Sequence, residues 1–201
     1  MIVDWDIHHG NSTRSIFADD DRVLYFSAHG LYRYPAFSKE GWDEQAGAAF
    51  VGGGGALGKS INCAWTGEGY GDAEYAELWQ RLLMPVAREF DPQLVIISAG
   101  FDSAAGDEEG YQVTPRGYGH LVSQLQLVAG GRLVVVLEGG YNIPAISHGL
   151  HACVATLAGA VEDEKEDPPW PLPQLEAEAM AIGDIERTIE AQRPYWKCLK
   201  K

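Results

Sequence analysis

The stretch Met1-Ile-Val-Asp-Trp-Asp-Ile-His8 alternates apolar and polar residues and predicts a β-strand whose end carries chemistry. Side chains two apart on a strand share a face, so Asp4, Asp6 and His8 point one way and the apolar residues between them point the other way. The strand therefore delivers two carboxylates and one imidazole to a single surface.

Two further strand-like runs end in the same manner. The run Leu94-Val-Ile-Ile-Ser-Ala-Gly-Phe-Asp102 ends in a carboxylate, and Leu133-Val-Val-Val-Leu-Glu-Gly-Gly-Tyr141 ends in a phenol. Ligands of an open parallel α/β sheet bind beyond the carboxyl ends of its strands. We therefore expect the polar ends of all three runs to meet at one edge of a sheet.

The rest of the chain alternates strand and helix patterns. Further strands are predicted at residues 22–27 and 62–65, and helices at 72–90, 114–128 and 143–160. Asp72 and Thr114 are the expected N-caps of the first two helices. This alternation predicts an α/β fold with a parallel sheet and helices on both faces.

The chain is strongly acidic: its 201 residues include 29 acidic and 15 basic side chains, for a net charge of −14. Such a field repels nucleic acids and anionic membranes and attracts cationic substrates, such as polyamines or lysine-rich peptide tails. The three cysteines form no CxxC pair, which favours a reducing compartment. No apolar run reaches the roughly 18 residues of a membrane helix. We expect a cytoplasmic or nuclear protein.

Composition also divides the chain. Residues 1–160 are expected to form one α/β unit, and the charged, proline-rich residues 161–173 are expected to form a linker. Residues 174–201 have apolar residues at helical spacing. We interpret them as a C-terminal helix that docks on its own domain, in preference to a partner-binding helix.

A metal site is the chemistry that the three strand ends favour. Asp6 and His8 can supply two ligands to one ion and Asp102 a third, which is the pattern of catalytic zinc with an open position. The alternative is ordinary turn carboxylates beside a surface imidazole. The convergence of three strands favours the metal site, and Gly139 and Gly140 would let a substrate approach the backbone closely.

Three motifs carry a resemblance to a known family. The segments Asp4-Trp-Asp-Ile-His-His-Gly-Asn11, Ser98-Ala-Gly-Phe-Asp102 and Glu138-Gly-Gly-Tyr-Asn142 resemble the zinc-dependent histone deacetylases and acetylpolyamine amidohydrolases, and class IIb in particular. The resemblance spans nearly all of residues 1–160 and implies that they are the C-terminal part of a deacetylase catalytic domain. It implies an arginase-like fold and hydrolysis of the acetyl amide of a polyamine or of lysine in a protein. It also implies corepressor-type protein partners.

The resemblance further implies a role for each matching residue. Asp6, His8 and Asp102 would ligate zinc, Tyr141 would polarise the scissile carbonyl, and Asp4 would orient a general-base histidine. Structural potassium is implied as well. Its inner site would use Asp4, Asp6, the His8 carbonyl, Ser27 and the Ala28 carbonyl, and its outer site would use backbone oxygens near Phe17, Asp20 and Val23.

The family's general base lies in a His-His pair upstream of the first strand, and that pair and the early strands are missing from this sequence. His9 cannot replace the pair, because it alternates to the opposite face from His8. A fragment, a misassigned start and a shortened isoform all remain open. We expect the chain as given to bind zinc weakly and turn over little, and the alternative function is a non-catalytic binding module.

Glu109 bears on the substrate, because polyamine-preferring class IIb members carry a gatekeeper glutamate there. Its carboxylate would pair with the internal ammonium of an acetylated polyamine. The alternative is an acidic surface loop, since Asp107 and Glu108 flank it. Phe37 and Tyr34 are candidate walls of the acyl channel.

Residues 53–60 match the phosphate-loop pattern GxxxxGK[ST]. A functional phosphate loop needs a strand before it and a helix after it. The residues that follow Ser60 are strand-like, so we interpret the match as accidental and the nucleotide-binding hypothesis as the weakest.

Overall fold

A computed structural model describes residues 1–38, 41–159 and 176–200. Its strands are β1 (Ile2–Asp4), β2 (Tyr25–Gly30), β3 (Phe37–Ser38), β4 (Gly41–Trp42), β5 (Ser60–Trp65), β6 (Val95–Ala99) and β7 (Leu133–Leu137). Its helices are α1 (Asn11–Phe17), α2 (Asp72–Leu78), α3 (Met84–Phe90), α4 (Pro115–Leu125), α5 (Ile143–Leu157) and α6 (Ala179–Gln192).

Five strands form one parallel sheet in the order β5-β2-β1-β6-β7, and helices flank it. The prediction of a parallel α/β sheet is confirmed. β1 lies at the centre, and its last residue, Asp4, is in register with Ser27 of β2 and Ser98 of β6. Because these carboxyl ends are level, the loops that follow β1, β6 and β7 meet at one edge.

The strand predicted for residues 1–8 is shorter in the structure and ends at Asp4, and two apolar residues in the loop after it help to hold that edge. Trp5 and Ile7 are fully buried, as the alternation predicts. The Trp5 ring lies 5.5 Å from the Tyr118 ring of α4 and 6.4 Å from Phe101, which follows β6. Aromatic packing of this kind joins the ends of two strands to a helix and limits their relative movement.

Several local predictions need correction. The segment 72–90 is not one regular helix, because a π-helical turn (Trp79–Leu83) joins α2 to α3. Asp72 is the first residue of α2 and not its N-cap, and its carboxylate instead accepts hydrogen bonds from the amide and hydroxyl of Thr114 at 2.8 and 2.7 Å. Thr114 does cap α4, with its hydroxyl 3.0 Å from the Gly117 amide.

An apolar run such as Leu133–Leu137 predicts a buried strand, but β7 is partly exposed on both faces. It lies at the edge of the described sheet, and Val134, Val136 and Leu137 are 46%, 42% and 53% exposed. Burial of a strand depends on its neighbours as well as on its composition, so an apolar run alone does not predict that a strand is buried.

The C-terminal segment packs on the sheet. Gln192 of α6 donates to the carbonyl of Ser60 at 2.7 Å, and the Trp196 indole donates to the carbonyl of Gly58 at 3.1 Å. Lys59 lies 4.3 Å from the Trp196 ring centroid, and Ser60 begins β5. A strand therefore follows the phosphate-loop pattern, as predicted. The proposed linker at 161–173 lies outside the described residues.

Candidate active site

The loops after β1 and β6 bring three sequence-predicted ligands together. His8 Nδ1 lies 3.1 Å from Asp6 Oδ1 and 3.0 Å from Asp102 Oδ2, and one ligand atom from each residue lies within 4.8 Å of the others. The backbone shapes this cluster, because the His8 amide donates to Asp6 Oδ1 and the Ile7 amide donates to Asp102 Oδ1, both at 2.8 Å. We call Asp6, His8 and Asp102 the ligand cluster.

The electrostatics of the ligand cluster favour a shared positive charge. Hydrogen bonds with Asp102 and Asp6 raise the pKa of His8 to about 10. Burial raises the pKa of Asp102 to about 6. Burial alone would also raise the pKa of Asp6, but its hydrogen bonds with the His8 ring and amide outweigh burial and lower it. The two carboxylates therefore favour a positive charge between them, which is also what a divalent cation requires.

The donor set and the space around it fit zinc. One imidazole nitrogen and two carboxylate oxygens are the ligands of a three-residue catalytic zinc site. Two glycines line the carboxylates: a Cβ on Gly139 would lie 2.6 Å from Asp102 Oδ2, and a Cβ on Gly100 would lie 2.5 Å from Asp6 Cγ. The Gly139 amide donates to Asp6 Oδ2 at 3.1 Å. The backbone therefore closes around the carboxylates only because these two positions lack a side chain.

Tyr141 stands beside the ligand cluster, at the end of the loop after β7. Its ring centroid lies 6.2 Å from that of His8, with the two rings nearly perpendicular. The side chain is 58% exposed, so the phenol is open to solvent. Partial burial and the charges of Asp102 and Asp6 raise the pKa of Tyr141, which keeps its hydroxyl protonated as a hydrogen-bond donor. Gly140 before it has φ +125°, a conformation that requires glycine.

Sequence reasoning missed Asp107, which holds the Tyr141 segment in place. Its Oδ2 accepts the amides of Tyr141 at 2.7 Å and Asn142 at 2.9 Å, and its side chain is buried. The sequence shows only one acid among three, in a loop that reads as solvated. The one available signal was its position five residues after Asp102, in the loop beside the expected site.

Asp4 is buried behind the ligand cluster. Its Oδ2 accepts the Tyr25 hydroxyl at 3.0 Å and its Oδ1 accepts the Asp6 amide at 3.2 Å. Burial, followed by the charge of Asp6, raises its pKa well above the usual range. These contacts support the end of β1, and orientation of a histidine by Asp4 stays a prediction.

The residues named for potassium are placed as follows. Ser27 and Ala28 are buried in β2, and the Ser27 hydroxyl lies 2.8 Å from His29 Nδ1. The carbonyls of Phe17 and Asp20 accept the amides of Asp20 at 3.1 Å and Val23 at 3.2 Å, which makes two consecutive turns. Potassium at either place stays a prediction.

Glu109 lies at the mouth of the site, which we define by Arg33, Glu68 and Glu109. Its Oε1 lies 3.6 Å from His8 Nε2, and its Oε2 lies 3.1 Å from Arg33 Nη1. The two aromatic candidates for the acyl channel, Phe37 and Tyr34, are 51% and 71% exposed. No contact between either ring and the ligand cluster is described, and their role as channel walls stays a prediction.

A separate open groove of about 690 Å³ lies between residues 42–50 and α6. Its lining includes Trp42, Phe50 and Arg187 but none of the ligand cluster. The ligand cluster therefore lies outside this groove.

Within the described parts of the chain, no helix has both the length and the apolar character needed to cross a bilayer.

Comparisons with known proteins show the family and the fold. A family model described as a histone deacetylase domain matches residues 1–157. The polyamine deacetylase HDAC10 of Homo sapiens is 42% identical over 206 residues, which cover 100% of this chain and 29% of that protein. The histone deacetylase HDA1 of Saccharomyces cerevisiae is 42% identical over 207 residues, which cover 100% of this chain and 28% of that protein.

Solved structures give the same answer. The structure of the histone deacetylase Clr3 matches with a TM-score of 0.88 and 40% identity, over 98% of this chain and 32% of that one. The HD domain of HDA15 matches with a TM-score of 0.85 and 34% identity, over 99% of this chain and 51% of that one. The chain belongs to the histone deacetylase family, which confirms the resemblance and the arginase-like fold class. It spans less than a third of the two curated relatives.

Proposed function

We propose that this chain carries the metal-binding part of a zinc-dependent deacetylase site, which hydrolyses the acetyl amide of a cationic amine. The single observation that supports this proposal is the convergence of the ligand cluster with Tyr141 at the edge of the sheet. Two relatives are named as a polyamine deacetylase and a histone deacetylase. An acetylated polyamine or acetyl-lysine in a protein is the substrate class that we propose here.

Zinc would be held by Asp6, His8 and Asp102. Bound zinc lowers the pKa of water and polarises a carbonyl, which is the chemistry that amide hydrolysis needs. The buried Asp102 fixes the loop after β1 through the Ile7 amide, so His8 and Asp6 are oriented before any cation arrives. Such preorganisation reduces the cost of binding.

The other groups act directly on the substrate. The Tyr141 hydroxyl would donate to the acetyl oxygen and stabilise the negative charge that develops there. Binding of the acyl group by the backbone of Gly139 and Gly140 stays a prediction, because the space beside Gly139 is taken by the Asp6 and Asp102 carboxylates and the space beside Gly140 by Ile146. At the mouth, Glu109 would face the amine portion of the substrate.

Proton transfer needs a histidine base, and His9 does not supply it. Its side chain is buried, and its ring stacks 4.5 Å from His29, with burial lowering its pKa to about 4. We propose that Asp4 orients such a base. The overall charge of −14 would favour the approach of a cationic substrate.

Acetate release by the zinc-loaded chain tests the proposal. N8-acetylspermidine and an acetyl-lysine peptide are the substrates, and we expect slow, zinc-dependent release. Asp102→Ala should abolish release together with zinc binding, whereas Tyr141→Phe should abolish release and retain zinc. Tyr195→Phe, at a partly exposed tyrosine of the C-terminal segment, is the matched control. Equal release by Asp102→Ala would refute the proposal, and zinc binding with no release would favour the non-catalytic module.

A further inference from the structure

Arg33 is fixed against the loop that carries Glu109. Its Nη1 lies 3.1 Å from Glu109 Oε2, and its Nη2 donates to the Glu109 carbonyl at 3.0 Å. Its stem lies on the end of β2, because a Cβ on Gly30 would meet Arg33 Cγ at 2.5 Å. One guanidinium therefore holds both the side chain and the backbone of Glu109, a geometry that suits arginine and not lysine.

The same carboxylate faces the ligand cluster on its other side. Glu109 Oε1 lies 3.6 Å from His8 Nε2, and the Glu109 side chain is 21% exposed. A second acid, Glu68, lies 3.6 Å from Arg33 Nη2 and is 81% exposed. Arg33 is thus shared between one carboxylate at the site and one in solvent.

We infer that Arg33 determines substrate specificity by occupying the Glu109 carboxylate, so that Glu109 meets an incoming amine as half of an ion pair and not as a free anion. This inference rests on the proposed function, in which the amine enters past Glu109. An ammonium group gains little from a carboxylate that is already paired. Polyamine binding must therefore displace Arg33, and Glu68 is close enough to receive the displaced guanidinium.

The inference reverses the usual expectation for a binding-site arginine. Removal of Arg33 takes the guanidinium away from Glu109 and Glu68, so affinity for a cationic ligand should rise and not fall. A neutral ligand with the same acetamide should be unaffected. The gain should also require Glu109 itself and should weaken as salt screens the charges.

Calorimetric titration of the zinc-loaded chain with N8-acetylspermidine and with neutral N-butylacetamide provides the test. We expect Arg33→Gln to bind N8-acetylspermidine about fivefold more tightly at low salt, with no change for N-butylacetamide. Arg33→Lys keeps the charge but cannot hold both groups of Glu109, so its gain should be smaller than that of Arg33→Gln. Glu109→Gln should remove the gain, whereas Glu108→Gln, the same change at the exposed neighbouring acid, should leave it.

Spermidine binding to the metal-free chain separates this inference from the proposed function. Arg33→Gln should raise spermidine affinity by a similar factor without any role for zinc or the acetyl group. If neither acetylated ligand binds the zinc-loaded parent, the proposed function fails. The spermidine titration still tests whether Arg33 weakens amine binding by pairing with Glu109. Unchanged or weaker spermidine binding by Arg33→Gln, or an equal gain in the Glu109→Gln background, would overturn the role of Arg33.

Discussion

Gly139→Ala is the substitution that most sharply tests how the backbone encloses the ligand cluster. The new methyl group would lie 2.6 Å from Asp102 Oδ2 and closer still to Asp6 Oδ2, where ordinary contact begins at 3.4 Å. Asp102 must therefore retreat by about 0.8 Å, and Asp6 by more. The φ angle of Gly139 is not in the left-handed region, so the clash and not backbone strain is the cause.

The expected loss of zinc affinity follows from the narrow range of distances at which zinc binds its ligands. Zinc–ligand distances vary by only about 0.2 Å, so a retreat of this size removes one or both carboxylates from coordination. Changes that only misorient ligands already cost roughly 10- to 100-fold in metal affinity. We expect Gly139→Ala to weaken zinc binding about 100-fold, or about 2.7 kcal/mol.

Competition with a chromophoric zinc chelator measures this loss, and thermal unfolding of the metal-free protein checks that the fold survives. Gly55→Ala is the matched control, because a Cβ there meets no atom within 4 Å and its φ is not in the left-handed region. It should bind zinc as the parent does. Equal zinc affinity in Gly139→Ala and Gly55→Ala would refute the idea that these carboxylates hold the metal.

Three further substitutions test separate parts of the structure. Asp107→Ala removes the acceptor of two amides, so hydrogen exchange at Tyr141 should accelerate at least about tenfold, and unchanged exchange in that peptide would count against the positioning role. Burial lowers the pKa of His9 from 6.5 to about 4. Between these two pH values the unfolded chain binds a proton at His9 that the folded chain does not bind. The free energy of unfolding should therefore fall as the pH falls from 6.5 to about 4. In urea unfolding, the parent should lose about 2 kcal/mol more unfolding free energy between pH 7 and pH 5 than His9→Phe loses. An equal loss in the two proteins would contradict the role of His9. Trp196→Ala should cost about 3–5 kcal/mol of unfolding free energy at constant pH, because the indole is buried and packs beside Lys59; a cost below about 1 kcal/mol would show that the C-terminal segment adds little.

Local pattern was enough for the elements that position the site. The alternation in residues 1–8 predicted the central strand and the burial of Trp5 and Ile7, although the strand ends at Asp4. The apolar run before Asp102 predicted the neighbouring strand. Thr114 with Pro115 marked the start of α4 correctly. These signals depend on residues within a few positions of each other, and they decide the parallel α/β class.

Contacts between distant segments were beyond the reach of the sequence. Asp107 binds the Tyr141 amide 34 positions away, and Arg33 meets Glu109 76 positions away. Neither pairing produces a periodic pattern in the sequence. The sequence alone therefore suggests a solvated acid at Asp107 and no particular role for Arg33. Asp72 was misread for the same reason, because a carboxylate beside a helix start suits both an N-cap and a tertiary acceptor.

Zinc coordination by Asp6, His8 and Asp102 is the claim on which the function depends, and X-ray absorption at the zinc edge tests it most directly. With one equivalent of zinc, the spectrum should show one imidazole nitrogen and two carboxylate oxygens at about 2.0–2.2 Å. Asp102→Asn should change that first coordination shell. A shell that contains sulfur, or one that is identical in the parent and Asp102→Asn, would contradict the account.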